Sequence, residues 1–96
     1  MSDFKELDPL LHSQLRLAVM SLLMSVESAE FVYIKEKTKA TAGNLSVQLD
    51  KLSSAEYINV IKSFKGKKPV TTCNITKKGI QAFEEYVKAL QQYINK

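Results

Sequence analysis

Several residue types are scarce in this 96-residue chain: one cysteine, one histidine, no tryptophan, three glycines and two prolines. A lone cysteine, Cys73, cannot close an internal disulfide, which excludes a disulfide-stapled scaffold and fits a reducing compartment. It is expected to be a small residue on a strand, not a redox sensor. With His12 as the single histidine and no paired cysteines, a clustered metal site cannot be assembled, so no metal or cofactor is expected and His12 reads as structural or interfacial. The scarcity of glycine leaves no Gly-rich phosphate cradle. No linker, internal repeat or low-complexity segment is visible. No apolar run approaches the roughly 18 residues of a membrane span. The N-terminal MSDFKELD is acidic and polar where a secretory leader is basic and then greasy, so a cytoplasmic chain is expected. No Ser/His/Asp set can be assigned. Glu84 and Glu85 are helix neighbours that cannot face one pocket, so no enzyme is expected.

Acidic residues are missing from one long stretch. Between Tyr57 and Phe83 there is no Asp or Glu, while Lys62, Lys65, Lys67, Lys68, Lys77 and Lys78 all fall there. With a net charge of +4 overall, this one-signed stretch has the electrostatic footprint of a polyanion-binding surface. The plainer reading is a solvated lysine-rich loop.

What is present is a single domain over residues 1–96, with 45% hydrophobic and 25% charged residues, ordinary for a globular chain. Asp8 as N-cap and Pro9 at the first helical position predict a helix over 9–25. Its apolar residues cover more than one stripe, so one side should meet the core and another a second chain. Ser28 is a plausible cap for a short helix, Ala29 to about Lys37, with Phe31 and Ile34 pointing inward. The turn Thr38-Lys39-Ala40 follows, and Thr41 caps a helix over 41–54. There Ala42, Leu45, Leu49 and Leu52 share one side, while Gly43, Asn44, Ser46, Val47 and Lys51 lie elsewhere. Two helices joined by so short a turn form a helix-turn-helix. Residues 57–64, YINVIKSF, and 70–75, VTTCNI, are β-branched and aromatic strands around the turn residues 65–69, which makes a hairpin. Thr76 caps a final helix, 77–95, whose Ile80, Phe83, Val87, Leu90 and Ile94 follow heptad spacing. The expected fold is mainly α with a small β-hairpin wing: a winged helix-turn-helix with a long C-terminal helix.

In this order the sequence resembles the small bacterial and archaeal winged-helix regulators of the MarR/ArsR-like superfamily, in particular a short single-domain branch. Leu7, Asp8, His12, Arg16 and Leu17 match its first helix, and Thr41, Gly43, Asn44, Leu45 and Ser46 match the start of its recognition helix. Leu52, Tyr57 and Ile58 match the passage into the wing. Phe64, Gly66, Pro69 and Thr71 match the wing itself, and Ile75, Thr76, Gly79, Ala82 and Phe83 open the last helix. Three positions depart. Glu56 stands where the group has glycine, a residue at ease with a left-handed backbone, and Lys67 and Lys68 replace wing arginines, giving point charges without the planar fork.

The resemblance implies a homodimeric transcription regulator, with the recognition helix in the major groove, the wing along the backbone or minor groove, and the terminal helices dimerising. The short side chains from Thr41 to Gln48 then let the helix approach DNA closely. Thr41, Gly43 and Ser46 lie near the phosphates. Asn44 or Gln48 is placed to pair with adenine, Val47 to meet a thymine methyl, and Lys51 to reach guanine or phosphate. Lys35, Lys37 and Lys39 in the turn, with Lys65, Lys67, Lys68 and Thr71 in the wing, position the duplex without reading it. The expected dimer face is Leu11, Leu15 and Val19 with Phe83, Val87, Leu90 and Ile94. A cleft between the first and last helices leaves room for a small-molecule effector, which no residue set identifies. The alternative from another functional class is a protein-interaction module that presents its basic face to an acidic partner and does not bind DNA.

Overall fold

In the computed structural model, which describes residues 4–94, the leucine-bearing helix is α3, Ala42–Ser54. Leu45, Leu49 and Leu52 are buried, each stabilising the fold by about 1.5–3 kcal/mol on removal from water. Ala42, expected on the same side, lies exposed at the first turn. Thr41 caps the helix as predicted, its hydroxyl accepting from the Asn44 N–H at 3.2 Å. Lys39, Ala40 and Thr41 connect α3 to α2, Phe31–Thr38. Lys39 takes a left-handed φ of 58° there. Ile34 is fully buried and Phe31 half-buried, as their spacing predicts.

Two expected boundaries move. The first helix, α1, runs Gln14–Val26 and does not start at Pro9. Asp8 and Pro9 open a single turn: the Asp8 carbonyl accepts from Leu11 and His12 N–H at 3.1 and 2.9 Å, and its carboxylate from Leu10 N–H at 2.9 Å. Extended backbone at Ser13 then breaks the turn before α1 begins. The other Asp8 carboxylate oxygen accepts from the Tyr57 hydroxyl at 2.6 Å, and Leu11 drops fully into the core, so tertiary contacts fix the turn. The second change is a strand, β1, Ser28–Glu30, where a helix start was expected. It lies antiparallel to β3, with Ala29 opposite Cys73.

The hairpin is β2, Ile58–Lys65, and β3, Lys68–Ile75, and the sheet order is β1-β3-β2. Its loop is shorter than expected, only Gly66 and Lys67, closed by the pair Lys65 and Lys68. Gly66 has φ +63° while Lys67 does not enter the left-handed region, the pattern of a type II′ turn, which demands glycine first. Pro69 therefore sits inside β3, opposite Phe64. Two steps from the loop that pair is non-hydrogen-bonded, so the missing proline N–H would have pointed to the outer edge. β1, which pairs only from Thr72 onward, does not reach that edge. Ile58 and Cys73 are buried, whereas the outer half of the hairpin is exposed.

The last helix, α4, is Lys77–Ile94; the expected final residue, Asn95, lies outside the described residues. Its body-facing side is Gly79, Ala82, Tyr86 and Ala89, one residue off the predicted heptad seam. That seam is left on the flank. Ile80, Phe83 and Leu90 are half-buried and Val87 is exposed, while Ile94 is 70% exposed. Because the wing and the end of α4 run past the core, the molecule measures 55 × 25 × 21 Å. Among the described residues no helix is long and apolar enough to cross a membrane.

The base of the wing is joined to the start of α4. Thr76 donates its N–H to the Tyr57 carbonyl at 3.0 Å. Its hydroxyl donates to the carbonyls of Glu56 at 2.7 Å and Tyr57 at 3.1 Å, while accepting from Gly79 N–H at 2.9 Å. Glu56 adopts φ +65°, the left-handed backbone for which glycine is the ordinary residue. A Cβ on Gly79 would stand 2.1 Å from the Tyr57 carbonyl oxygen. Gly79→Ala should thus lower stability by about 1–3 kcal/mol, although alanine favours helix by about 1 kcal/mol over glycine. Urea unfolding checks this, and an unchanged or raised midpoint would show that the junction is not close-packed.

Candidate nucleic-acid interface

With Leu45, Leu49 and Leu52 facing the core, helical geometry turns Gly43, Asn44, Ser46, Val47 and Lys51 outward, and all five are exposed. Val47, at 51% exposure, is an apolar spot on a polar strip. Thr41, Lys37 and Lys39 are exposed beside the helix start. Lys37 Nζ lies 5.6 Å from the centre of the Tyr33 ring, a cation–π contact. At the wing tip Lys67 and Lys68 are exposed, while Thr71 is half-buried on the hairpin. Lys65 is less available, because its ammonium pairs with Glu30 at 2.9 Å. That pair is exposed and contributes little to stability.

Gln48, expected to pair with adenine, is turned toward Arg16 of α1. It is half-buried, and its amide is used within the protein. Its oxygen accepts from Arg16 Nη1, and its nitrogen donates to Asn44 Oδ1 at 3.0 Å. Only Asn44 of the pair is exposed. Nothing in the sequence around Gln48 signals this, since its partner is 32 positions away.

Two of the residues expected on a dimer face are core residues of the single chain. Leu11 and Val19 are fully buried within the protomer and belong to its own core, because the Asp8 turn and α1 aim them inward. Leu15, Phe83, Val87, Leu90 and Ile94 keep part of their surface.

The cleft beside α4 is lined by residues 5–9, Tyr57, Ala82, Glu85, Tyr86, Lys88 and Ala89, with a volume of about 440 Å³. Two hydrogen bonds stitch its walls: Tyr57 to Asp8 at 2.6 Å, and His12 Nδ1 with the Tyr86 hydroxyl at 2.9 Å. The N-terminal segment is tied down further, with Lys5 N–H donating to Gln92 Oε1 at 2.9 Å and Tyr93 donating to the Lys5 carbonyl at 2.8 Å. Burial, then the hydrogen bond to Asp8 and the charges of Asp8 and Glu85, push the Tyr57 phenol up to about 12. Burial pushes the Cys73 thiol up to about 11. Both groups thus stay neutral in the fold at neutral pH, and neither is a poised nucleophile. Among the described residues no group of three or more His, Cys, Asp or Glu is placed to hold a metal ion.

A family model for the winged helix DNA-binding domain matches residues 15–94. An uncharacterized protein of Methanocaldococcus jannaschii is 36% identical over 81 residues, covering 84% of this chain and 88% of that protein. Among solved structures, the transcriptional regulator homologue from Pyrococcus horikoshii is similar at a TM-score of 0.84 and 24% identity, over 90% of this chain and 85% of that one. A mutant of MarR from E. coli, solved in complex with operator DNA, is similar at a TM-score of 0.72 and 19% identity, over 92% of this chain and 68% of that one. At these identities the structural likeness establishes the fold.

The weakened acidities of these two groups set an alkaline limit. A phenol held at about 12 against an ordinary 10.0, and a thiol at about 11 against 9.0, favour the folded state while neutral. That contribution is complete below pH 9, and it is lost as pH climbs through 9–11 for the thiol and 10–12 for the phenol. The denaturation midpoint should fall across that window, less in Tyr57→Phe and in Cys73→Ala. A fall as large in both variants as in the wild type would show that neither group is responsible.

Proposed function

The chain belongs to the family of winged helix DNA-binding domains and shares the fold of transcriptional regulators, and from this premise we propose a sequence-specific transcriptional repressor that acts as a homodimer on a pseudo-palindromic operator. The observation that carries the reading is α3, whose leucines are buried behind while Asn44, Val47 and Lys51 stand free in front. A helix so presented fits the major groove, with Gly43 and Ser46 allowing close approach. Lys37, Lys39 and Thr41 on one side, and Lys67, Lys68 and Thr71 on the other, are placed to hold phosphates, with Lys65 joining them once released from Glu30. These contacts position the protein, while α3 reads the bases. Repression follows from occupying the promoter against polymerase. In this reading the protein works in the cytoplasm, and the cleft between the N-terminal segment and α4 is where a small-molecule effector would act.

The homodimer is supported by the flank of α4. On it Val87 and Ile94 are exposed and Phe83 and Leu90 half-buried, as is Leu15 of α1, and a partner would take this remaining apolar surface out of water. A two-fold dimer sets its α3 helices about one DNA turn apart, roughly 10 bp or a multiple. The alternative is a protein-interaction module whose exposed Lys37, Lys39, Lys67 and Lys68 meet an acidic partner in place of DNA. Selection of bound fragments from genomic DNA separates the two readings, since an enriched palindrome supports the repressor and no enrichment supports the module.

Duplex affinity should fall at least about a hundredfold between 50 and 300 mM salt as released counterions are recaptured. Lys67→Ala should weaken all sequences alike and reduce the salt slope by about one per subunit. Asn44→Ala and Lys51→Ala should instead alter sequence preference. Anisotropy titration reads all three, and identical preference profiles would contradict the division between wing and α3. Sedimentation at micromolar concentration should give a dimer, and Val87→Glu should yield folded monomers that bind at least about tenfold more weakly. A wild-type monomer would remove the homodimer from the proposal.

A further inference from the structure

A hydrogen-bond relay runs from α1 to the outer face of α3. Arg16 Nε donates to the Leu10 carbonyl at 2.6 Å, which holds the guanidinium in place. Its Nη1 donates to Gln48 Oε1, and Gln48 Nε2 donates to Asn44 Oδ1 at 3.0 Å. The direction of this relay is fixed by chemistry. A guanidinium has donors and no acceptor, so Gln48 must meet it with oxygen. The nitrogen of Gln48 then faces Asn44, and Asn44 must answer with its own oxygen. An exposed asparagine is thereby left with its amino group turned away from Gln48.

We infer that the relay makes Asn44 a hydrogen-bond donor toward the major groove, so that α3 selects an acceptor-rich base edge, guanine first, at one position of each half-site. This rests on the DNA-binding reading above. A free asparagine amide matches adenine in both directions, accepting from N6 and donating to N7. Engaging Oδ1 with Gln48 weakens the accepting half of that match. Guanine offers only acceptors at this edge, N7 and O6, and so suits a donor. Asn44 is the reading residue. Arg16 and Gln48 are positioning residues, which set the polarity of a contact they do not make.

Gln48→Glu supplies the sharpest test. A carboxylate accepts from Arg16 and Asn44 alike, so Asn44 must turn its amino group inward and its oxygen outward. The preferred base then becomes one with an amino donor in the major groove, adenine or cytosine. Gln48→Ala, a helix-favouring change, cuts the relay and frees Asn44 to present either end.

The experiment is selection from a random duplex library with wild type, Asn44→Ala and both Gln48 variants, each paired with an affinity titration. Wild type should favour guanine over adenine by about tenfold at one position per half-site, the position that Asn44→Ala blurs. Gln48→Glu should reverse that preference, and Gln48→Ala, which leaves Asn44 free to pair with adenine in both directions, should also move it toward adenine. If wild type enriches adenine there, the assigned polarity is wrong. If both Gln48 variants keep the wild-type profile and lose only affinity, the relay has no role in reading and DNA binding stands. If wild type enriches no sequence at all, DNA reading itself fails and takes this inference with it.

Discussion

Burial of three leucines on one side of α3 is the constraint from which the rest of this molecule follows. Leu45, Leu49 and Leu52 lock the rotation of the helix about its own axis. A helix pinned along one stripe has no choice about what it shows on the other. The small and polar residues between the leucines are outside because the leucines are inside. The remaining elements complete the enclosure: α1 gives Met20 and Leu23, α2 gives Ile34, and the sheet gives Ile58 and Cys73. The outward strip is thus specified by the core, and its side chains are free to vary without cost to the fold.

Much of this was legible in the chain because the informative residues sit close together. Thr41 followed by leucines at helical spacing marks α3 and its cap, and β-branched runs on either side of Gly66 mark the hairpin. The departure at Glu56 pointed to a backbone conformation that glutamate tolerates poorly, and its φ is +65°. The features that stayed hidden are those decided by distant partners. Ser28-Ala29-Glu30 has no strand character of its own and becomes β1 because β3 offers an unpaired edge. Asp8-Pro9 is a sound helix start that yields one turn, since Leu11 and Tyr57 claim that segment first. The inward stripe of α4 is built from glycine, alanines and a tyrosine, a weaker hydrophobic signal than the aliphatic heptad beside it. Gln48 looked like a reader of bases because no local pattern reveals Arg16 above it.

Charge is arranged on a separate principle from packing. The core contains no buried charged side chain among the described residues, and the contacts that lysines make within the fold, Lys65 with Glu30, Lys78 with Glu56 and Lys37 over Tyr33, lie at the surface. Their one-signed concentration from Tyr57 to Phe83 is therefore not needed to fill the core. The same separation appears within α3, where leucines fix its pose and an internal amide chain sets the orientation of a single exposed side chain.

The Tyr57 carbonyl, gripped by Thr76 and closed over by Gly79, has a mechanical corollary. Wing and terminal helix are welded at one point, with no spare atom of clearance. If α4 tilts against a neighbouring subunit, the hairpin must swing with it as the far arm of the same lever. A rotation of α4 would then reach the hairpin through this one contact, with no further linkage between them required.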